Sequence, residues 1–189
     1  MTLTVTTTTL PKGAIVFNDI LPPVVCYSLI ELFDELPQED WDRDGAPKFT
    51  QVNINRDQPG LVEPLVIFTR TALEKYKSKF PVSKYLPPLT RLEEFRVKRY
   101  NGGSEDRYDD HIDVQGSHSA NRYLSFLFYL NDDFTGGETE FSEGGIVTPC
   151  RGSVLVFPPY WMFPHAGLPV EQGTKYIMST YCHLNDLTH

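Results

Sequence analysis

Apolar positions recur at helical spacing in the first half of the chain and alternate at strand spacing in the second. In 24–36 the residues Val25, Leu29, Leu32, Phe33 and Leu36 fall on one helical face, and Pro22-Pro23 just before them suits a first turn. Leu61, Leu65, Phe68, Leu73 and Tyr76 give 60–80 the same signature. Residues 1–12 read as a frayed start or an edge strand, 14–18 as a short strand, and 81–89 as a proline-punctuated linker. The polar stretch 37–59 reads as a solvated loop in preference to a substrate lid, with a possible strand at 50–54.

From Glu93 the period changes. Phe95, Val97 and Arg99 alternate with Glu94, Arg96 and Lys98, which predicts a strand whose face assignment is mixed. Asn101-Gly102-Gly103-Ser104 is a turn, 122–130 a long apolar and aromatic strand, and 132–137 a glycine-assisted bend. Short strands are expected at Phe141, at Ile146-Val147 and at 153–157, and a last one at 176–183. In that last strand Lys175, Ile177, Ser179, Tyr181 and His183 share a face, opposite Tyr176, Met178, Thr180 and Cys182. Helices early and strands late predict a mainly β fold, an antiparallel double sheet with supporting α-helices.

Length and composition narrow the class. The chain has 189 residues, enough for one domain with a sizeable core, and 13% are aromatic, which suits a β-rich interior. A net charge of −8 argues against a nucleic-acid partner and gives no support to a role on anionic membranes. No run approaches the ~18 apolar residues of a membrane span, and the threonine-rich 1–10 lacks the features of a signal peptide. Cys26, Cys150 and Cys182 fit neither a disulfide framework nor a zinc site; they read as buried thiols in a reducing compartment, so the expected location is cytoplasmic.

The candidate chemistry lies between Tyr100 and Lys175. His111-Ile112-Asp113 puts an imidazole and a carboxylate on one side of an extended chain, and a second imidazole follows at His165. Two histidines and one carboxylate form a facial triad, the ligand set of non-haem Fe(II) oxygenases, and leave coordination positions open for a bidentate 2-oxo acid and dioxygen. An H-x-D alone is a common chance pattern. Lys175 strengthens it, because a lysine ten residues beyond His165 (175 − 165 = 10) supplies the cation that a dicarboxylate needs. Glu105, Asp106, Asp109 and Asp110 crowd the approach to His111; they read as a solvated loop in preference to an attractor of basic substrates. The small, polar stretch 114–121 suits a mobile loop, and its His118 reads as a loop histidine and not a fourth ligand.

Several stretches together resemble the Fe(II)/2-oxoglutarate-dependent dioxygenases of the prolyl 4-hydroxylase-like branch. They are Val97-Lys98-Arg99-Tyr100, Tyr108 to Asp113, Asn121 to Asn131, Gly136-Gly137-Glu138-Thr139-Glu140-Phe141, Pro149 to Phe157, and His165-Ala166-Gly167 with Val170 to Lys175. The resemblance covers roughly 94–185 and weakens before that. It implies a double-stranded β-helix, or jelly roll, at about 93–185 with helical support at about 20–80, all in one domain. It implies Fe(II) on His111, Asp113 and His165, and 2-oxoglutarate on Lys175, with Tyr100 and Thr139 adding hydroxyls. Arg122, Tyr181 and His183 match positions that face a peptide substrate. Tyr181 departs from the tryptophan common there, and 101–107 is about two residues longer than usual, which bears on the substrate and not on the metal. The implied reaction decarboxylates 2-oxoglutarate to succinate with dioxygen and hydroxylates a C–H bond, with ascorbate as a candidate reductant. A peptidyl proline is the implied substrate. Free proline, another amino-acid side chain, a small molecule, or a β-roll binding module without activity stay open, and a nucleic-acid demethylase fits less well.

Overall fold

A computed structural model describes residues 9–42, 47–86 and 91–184. The first helix, α1 (Pro23–Phe33), opens on Pro22-Pro23 and buries Cys26, Leu29 and Phe33, one stripe at helical spacing. A later helix, α3 (Val62–Lys79), does the same with Leu65, Thr69, Ala72, Leu73 and Tyr76. Both are the helices expected from the apolar period. A one-turn helix, α2 (Ile54–Asp57), is capped by the Asn53 side chain, which accepts from the Arg56 amide. Among the described residues no helix is long and apolar enough to cross a membrane.

In chain order the strands are β1 (Ile15–Phe17), β2 (Glu39–Asp42), β3 (Lys48–Asn53), β4 (Arg91–Leu92), β5 (Arg96–Asn101), β6 (Tyr108–His111) and β7 (Arg122–Tyr129), followed by β8 (Thr135–Gly136), β9 (Thr139–Phe141), β10 (Ile146–Val147), β11 (Val154–Phe157), β12 (His165–Gly167), β13 (Val170–Gln172) and β14 (Thr174–His183). Eight make the larger sheet, in the order β1-β11-β7-β14-β5-β3-β2, with β4 also pairing β14. The smaller sheet runs β10-β9-β12-β6, and β13 pairs β8 in a third, two-stranded piece. The ladders are antiparallel throughout, and the arrangement is the mainly β jelly roll with supporting helices that the sequence predicts.

The period-two pattern decides which residues face what. Along β7 the even positions Leu124, Phe126 and Phe128 enter the core that packs on α1 and α3, whereas Leu127 and Tyr129 enter a second core between the sheets. Along β14 Tyr176, Met178 and Cys182 point to the helices, and Lys175, Ile177, Ser179 and Tyr181 line the space between the sheets. The mixed faces of β5 resolve the same way: Val97 packs on the helix side, and Lys98 and Tyr100 face inward.

Three expectations need correction. Residues 37–59 are more than a solvated loop: the possible strand at 50–54 is part of β3, β2 pairs antiparallel with it and extends the larger sheet through β3 and β5, and α2 follows. The signal was weak because Glu39-Asp40-Trp41-Asp42 has one apolar side chain in four, as suits a charged sheet edge. Its Trp41 ring stacks on Phe49 at 5.9 Å. The tail of the expected 81–89 linker lies outside the described residues, and Pro81–Tyr85 is a 3-10 helix. Residues 1–8 also lie outside them, and 9–12 are in no strand. Of the cysteines, Cys26 and Cys182 are buried and free as expected, but Cys150 is only half-buried.

The turn before β11 shows how tightly the helix side is tied to the sheet. Gly152 has φ +80°, its amide donates to the Tyr129 carbonyl at 2.9 Å, and its carbonyl accepts from the Ile20 and Leu21 amides. A Cβ there would run into the Leu21 carbonyl oxygen, whereas one at Gly103, also at positive φ, would meet nothing. Gly103→Ala is therefore expected to cost only the left-handed backbone strain, about 1–2 kcal/mol. Gly152→Ala should cost clearly more in denaturant unfolding; equal losses would contradict this packing.

Candidate functional site

Strand pairing brings the two histidines together. In the smaller sheet His165 on β12 lies directly opposite His111 on β6. Their rings are 4.3 Å apart between centroids. Asp113 lies just past the end of β6, so strand parity alone does not aim it. Its carboxylate is held from the larger sheet: Ser125 Oγ donates to Oδ2 at 2.6 Å and the Tyr181 hydroxyl to Oδ1 at 3.1 Å. One ligand atom from each of His111, Asp113 and His165 lies within 4.8 Å of the other two. His118 lines an outer groove and is not part of this cluster.

The ring nitrogens are sorted by their partners. His111 Nδ1 faces the Asp109 carbonyl at 2.8 Å and His165 Nδ1 the Phe163 carbonyl at 3.1 Å. A carbonyl can only accept, so both Nδ1 atoms carry the proton and both Nε2 lone pairs are free for an ion. Tyr108 stacks on the His111 ring at 3.6 Å and fixes its plane. Burial lowers the basicity of His165, which keeps it neutral and able to ligate. Burial works against the Asp113 carboxylate, but positive charge on the imidazoles and the Ser125 hydroxyl outweigh it and hold its carboxyl well below the usual range; beside neutral imidazoles a divalent cation would supply that positive charge instead. A buried carboxylate with two inward-facing imidazole lone pairs fits a divalent metal such as iron.

Deeper in the same pocket lies Lys175. It is 3% exposed. Its ammonium donates to the Gly137 carbonyl at 2.6 Å and sits 5.5 Å from the Tyr100 ring centroid and 6.0 Å from that of Tyr129. Gly137 can offer that carbonyl because its φ is +70° and a Cβ would crowd the Lys175 side chain. No carboxylate pairs with Lys175 among the described residues. Burial pushes its pKa down to about 8, and the charge of Glu138 only partly offsets this. Tyr100 pairs with Lys175 across β5 and β14, and Thr139 accepts a hydrogen bond from the Tyr129 hydroxyl at 2.8 Å; both line the pocket. An ammonium, the Tyr100 phenol and a threonine hydroxyl around one space can hold an anion.

Arg122, Tyr181 and His183 meet at the wall of the outer groove, but around one another. Arg122 clamps Glu93 in a bidentate pair at 2.6 and 2.8 Å, donates to the Asp113 carbonyl at 2.7 Å, and lies 3.9 Å over the Tyr181 ring. His183 also contacts Glu93, at 2.5 Å. The acidic residues before His111 are likewise engaged: Lys48 pairs with Glu105, Arg107 with Asp109, Asn101 bonds to Asp106 and Ser142 to Asp110. The stretch 114–121 is a turn, with Ser119 buried and hydrogen-bonded to Gln115 and Gly116.

Sequence reasoning missed Ser125, Tyr129 and Glu93. Ser125 carried a signal, the one serine inside an apolar and aromatic strand, on the inward parity. Glu93 carried none, because its role depends on β4 lying against β14. Removing the Ser125 hydroxyl leaves one carboxylate oxygen of Asp113 unsupported. Ser125→Ala is expected to weaken Co(II) binding by about 10–100-fold in a titration followed by absorbance; unchanged affinity would mean that this hydrogen bond does not orient Asp113.

Residues 95–183 match the family model of the 2OG-Fe(II) oxygenase superfamily. The chain is 33% identical over 124 residues to a probable prolyl 4-hydroxylase 9 of Arabidopsis thaliana, an alignment that takes in 50% of this chain and 42% of that protein. It is 26% identical over 190 residues to a putative prolyl 4-hydroxylase of Acanthamoeba polyphaga mimivirus, covering 88% of this chain and 72% of the other. It thus spans less than half the length of the plant relative. Among solved structures it superposes on the viral collagen prolyl hydroxylase of Paramecium bursaria Chlorella virus-1, in its 2OG complex, with a TM-score of 0.70 and 21% identity, over 90% of this chain and 95% of that one. A Trichoplax adhaerens prolyl hydroxylase with a hypoxia inducible factor peptide superposes with a TM-score of 0.72 and 16% identity, over 90% and 83%.

Proposed function

We propose, from the match of residues 95–183 to the 2OG-Fe(II) oxygenase superfamily, that the protein is an Fe(II)- and 2-oxoglutarate-dependent dioxygenase that hydroxylates a proline in a peptide. The reaction balances as 2-oxoglutarate, dioxygen and a C–H bond giving succinate, carbon dioxide and a C–OH group. The observation that carries the reading is the buried, carboxylate-free ammonium of Lys175 in the same pocket as the cluster of His111, Asp113 and His165. An unpaired buried charge is costly, and a dicarboxylate reaching from the cluster to Lys175 would relieve it. The names of the relatives favour proline as the target.

In this reading His111 Nε2, His165 Nε2 and the Asp113 carboxylate hold iron, which supplies the oxygen activation when bound. Each residue then has a task. Ser125 and Tyr181 keep the carboxylate of Asp113 aimed and ionised. Lys175 binds the distal carboxylate of 2-oxoglutarate, Tyr100 and Thr139 offer hydroxyls along it, and Phe157, Leu127 and Ile177 line the pocket with apolar surface that excludes water. Tyr181, Arg122 and His183 face the peptide from the groove wall, kept in place by Glu93. Ascorbate is the proposed reductant. The direct test is succinate release by the iron-loaded protein together with mass spectrometry of proline peptides for a product 16 Da heavier; no succinate under any condition would overturn the reading.

Two outcomes follow from Lys175. Lys175→Ala should raise the KM for 2-oxoglutarate by about 10-fold or more while iron affinity stays within a few-fold; unchanged cosubstrate affinity would refute the role. The sign of the pH dependence is also fixed. With its pKa lowered to about 8, Lys175 is charged below that pH and neutral above it, while both carboxylates of the cosubstrate stay ionised. The kcat/KM for 2-oxoglutarate should therefore fall as pH rises through about 8, and the fall should vanish in Lys175→Ala.

A further inference from the structure

Between the metal-cluster pocket and the outer groove is a throat formed by the residues that line both: Lys98, Tyr108, Asp113, Ser179 and Tyr181. Lys98 is its only cation. It projects inward from β5, opposite Ile177 on β14 and Gln51 on β3. Its ammonium lies 5.0 Å from the Phe49 ring centroid and 5.8 Å from that of Tyr108. Aromatic faces offset part of a cation's lost hydration. They supply no oxygen acceptor, however, and among the described residues no carboxylate or carbonyl takes a hydrogen bond from Lys98. The neighbouring charges are already spent. Arg122 and His183 take Glu93, Arg96 takes Glu94 and Glu39, and Asp113 belongs to the cluster. In a protein of net charge −8 the unspent charge at this throat is positive.

We propose that Lys98 sets the substrate class, binding a carboxylate that the substrate carries next to the residue to be hydroxylated. This rests on the function proposed above and narrows it to acidic proline-containing segments. The cosubstrate does not need this cation. Lys175 pairs with Tyr100 across the strands, and Lys98 lies one inward position farther along β5, roughly 7 Å away along the strand. That step separates a deep anion site from one at the mouth. The groove beyond, lined by Trp41, Phe49 and Tyr108, has a volume of about 680 Å³ and opens to solvent, room for a peptide and not merely for one amino acid. The carboxylate could be an acidic side chain or a chain end, and the two are separable by experiment.

The test uses short peptides with one proline in a neutral frame. One has glutamate beside the proline and one has glutamine there; two more have no acidic side chain and end in a free carboxylate or an amide directly after the proline. Their Kd values are measured by calorimetry on the whole Mn(II)-loaded protein, for the wild type, Lys98→Met and Lys98→Arg. The wild type should prefer an acidic peptide over its neutral partner by about 10-fold or more. Lys98→Met should abolish the preference and Lys98→Arg should keep it. Whether the glutamate or the chain-end pair shows the preference identifies the source of the carboxylate. Equal binding of charged and neutral peptides by the wild type, a preference that survives in Lys98→Met, or no binding of any carboxylate peptide would overturn the proposal. Because binding needs no turnover, this result is independent of succinate release, whose failure would strike the dioxygenase reading instead.

Discussion

Two opposite charges are confined between the sheets with no permanently charged side chain paired to either among the described residues. One is the Asp113 carboxylate, faced by imidazoles that are not obliged to be charged; the other is the Lys175 ammonium, which has a carbonyl and two rings. Burying a charge costs several kcal/mol unless something compensates it. A fold keeps such a pair when a cation completes the first and an anion the second. Most features around the pocket serve that condition. Ser125 and Tyr181 tether the carboxylate, backbone carbonyls set the tautomers of both histidines, and Gly137 turns its carbonyl toward the lysine.

The jelly roll achieves this by dividing the work between its two sheets. The smaller sheet brings His111 and His165 together as a cross-strand pair, although more than fifty residues separate them in the chain (165 − 111 = 54). The larger sheet supplies Ser125, Tyr181 and Lys175 from adjacent strands. Helices α1 and α3 stay on the far face, where Phe33, Leu65 and Leu73 pack against Phe126, Phe128 and Met178. A fault in that outer packing would tilt β7 and β14 together and move the tether of Asp113 with them.

Much of this was legible in the sequence, and the exceptions have physical causes. The alternation in β14 put Lys175 and Tyr181 on one face, and the H-x-D with a distant histidine and a lysine outlined the pocket. β3 was legible in part, as a possible strand at 50–54, but its partner β2 was not, because an edge strand carrying Glu39, Asp40 and Asp42 looks like a loop by hydropathy. Nor was the bracing of Arg122 and His183 by Glu93, or the position of Lys98 at the throat. Both depend on which strands lie side by side, and the alternation of β5 by itself did not tell its inner face from its outer one.

The central claim is that His111, Asp113 and His165 share one metal ion. Anomalous diffraction from crystals soaked in Mn(II) tests it most directly. The account expects a single strong peak within bonding distance of both Nε2 atoms and the Asp113 carboxylate. A metal bound elsewhere, or a cluster whose side chains turn away from any ion, would contradict it.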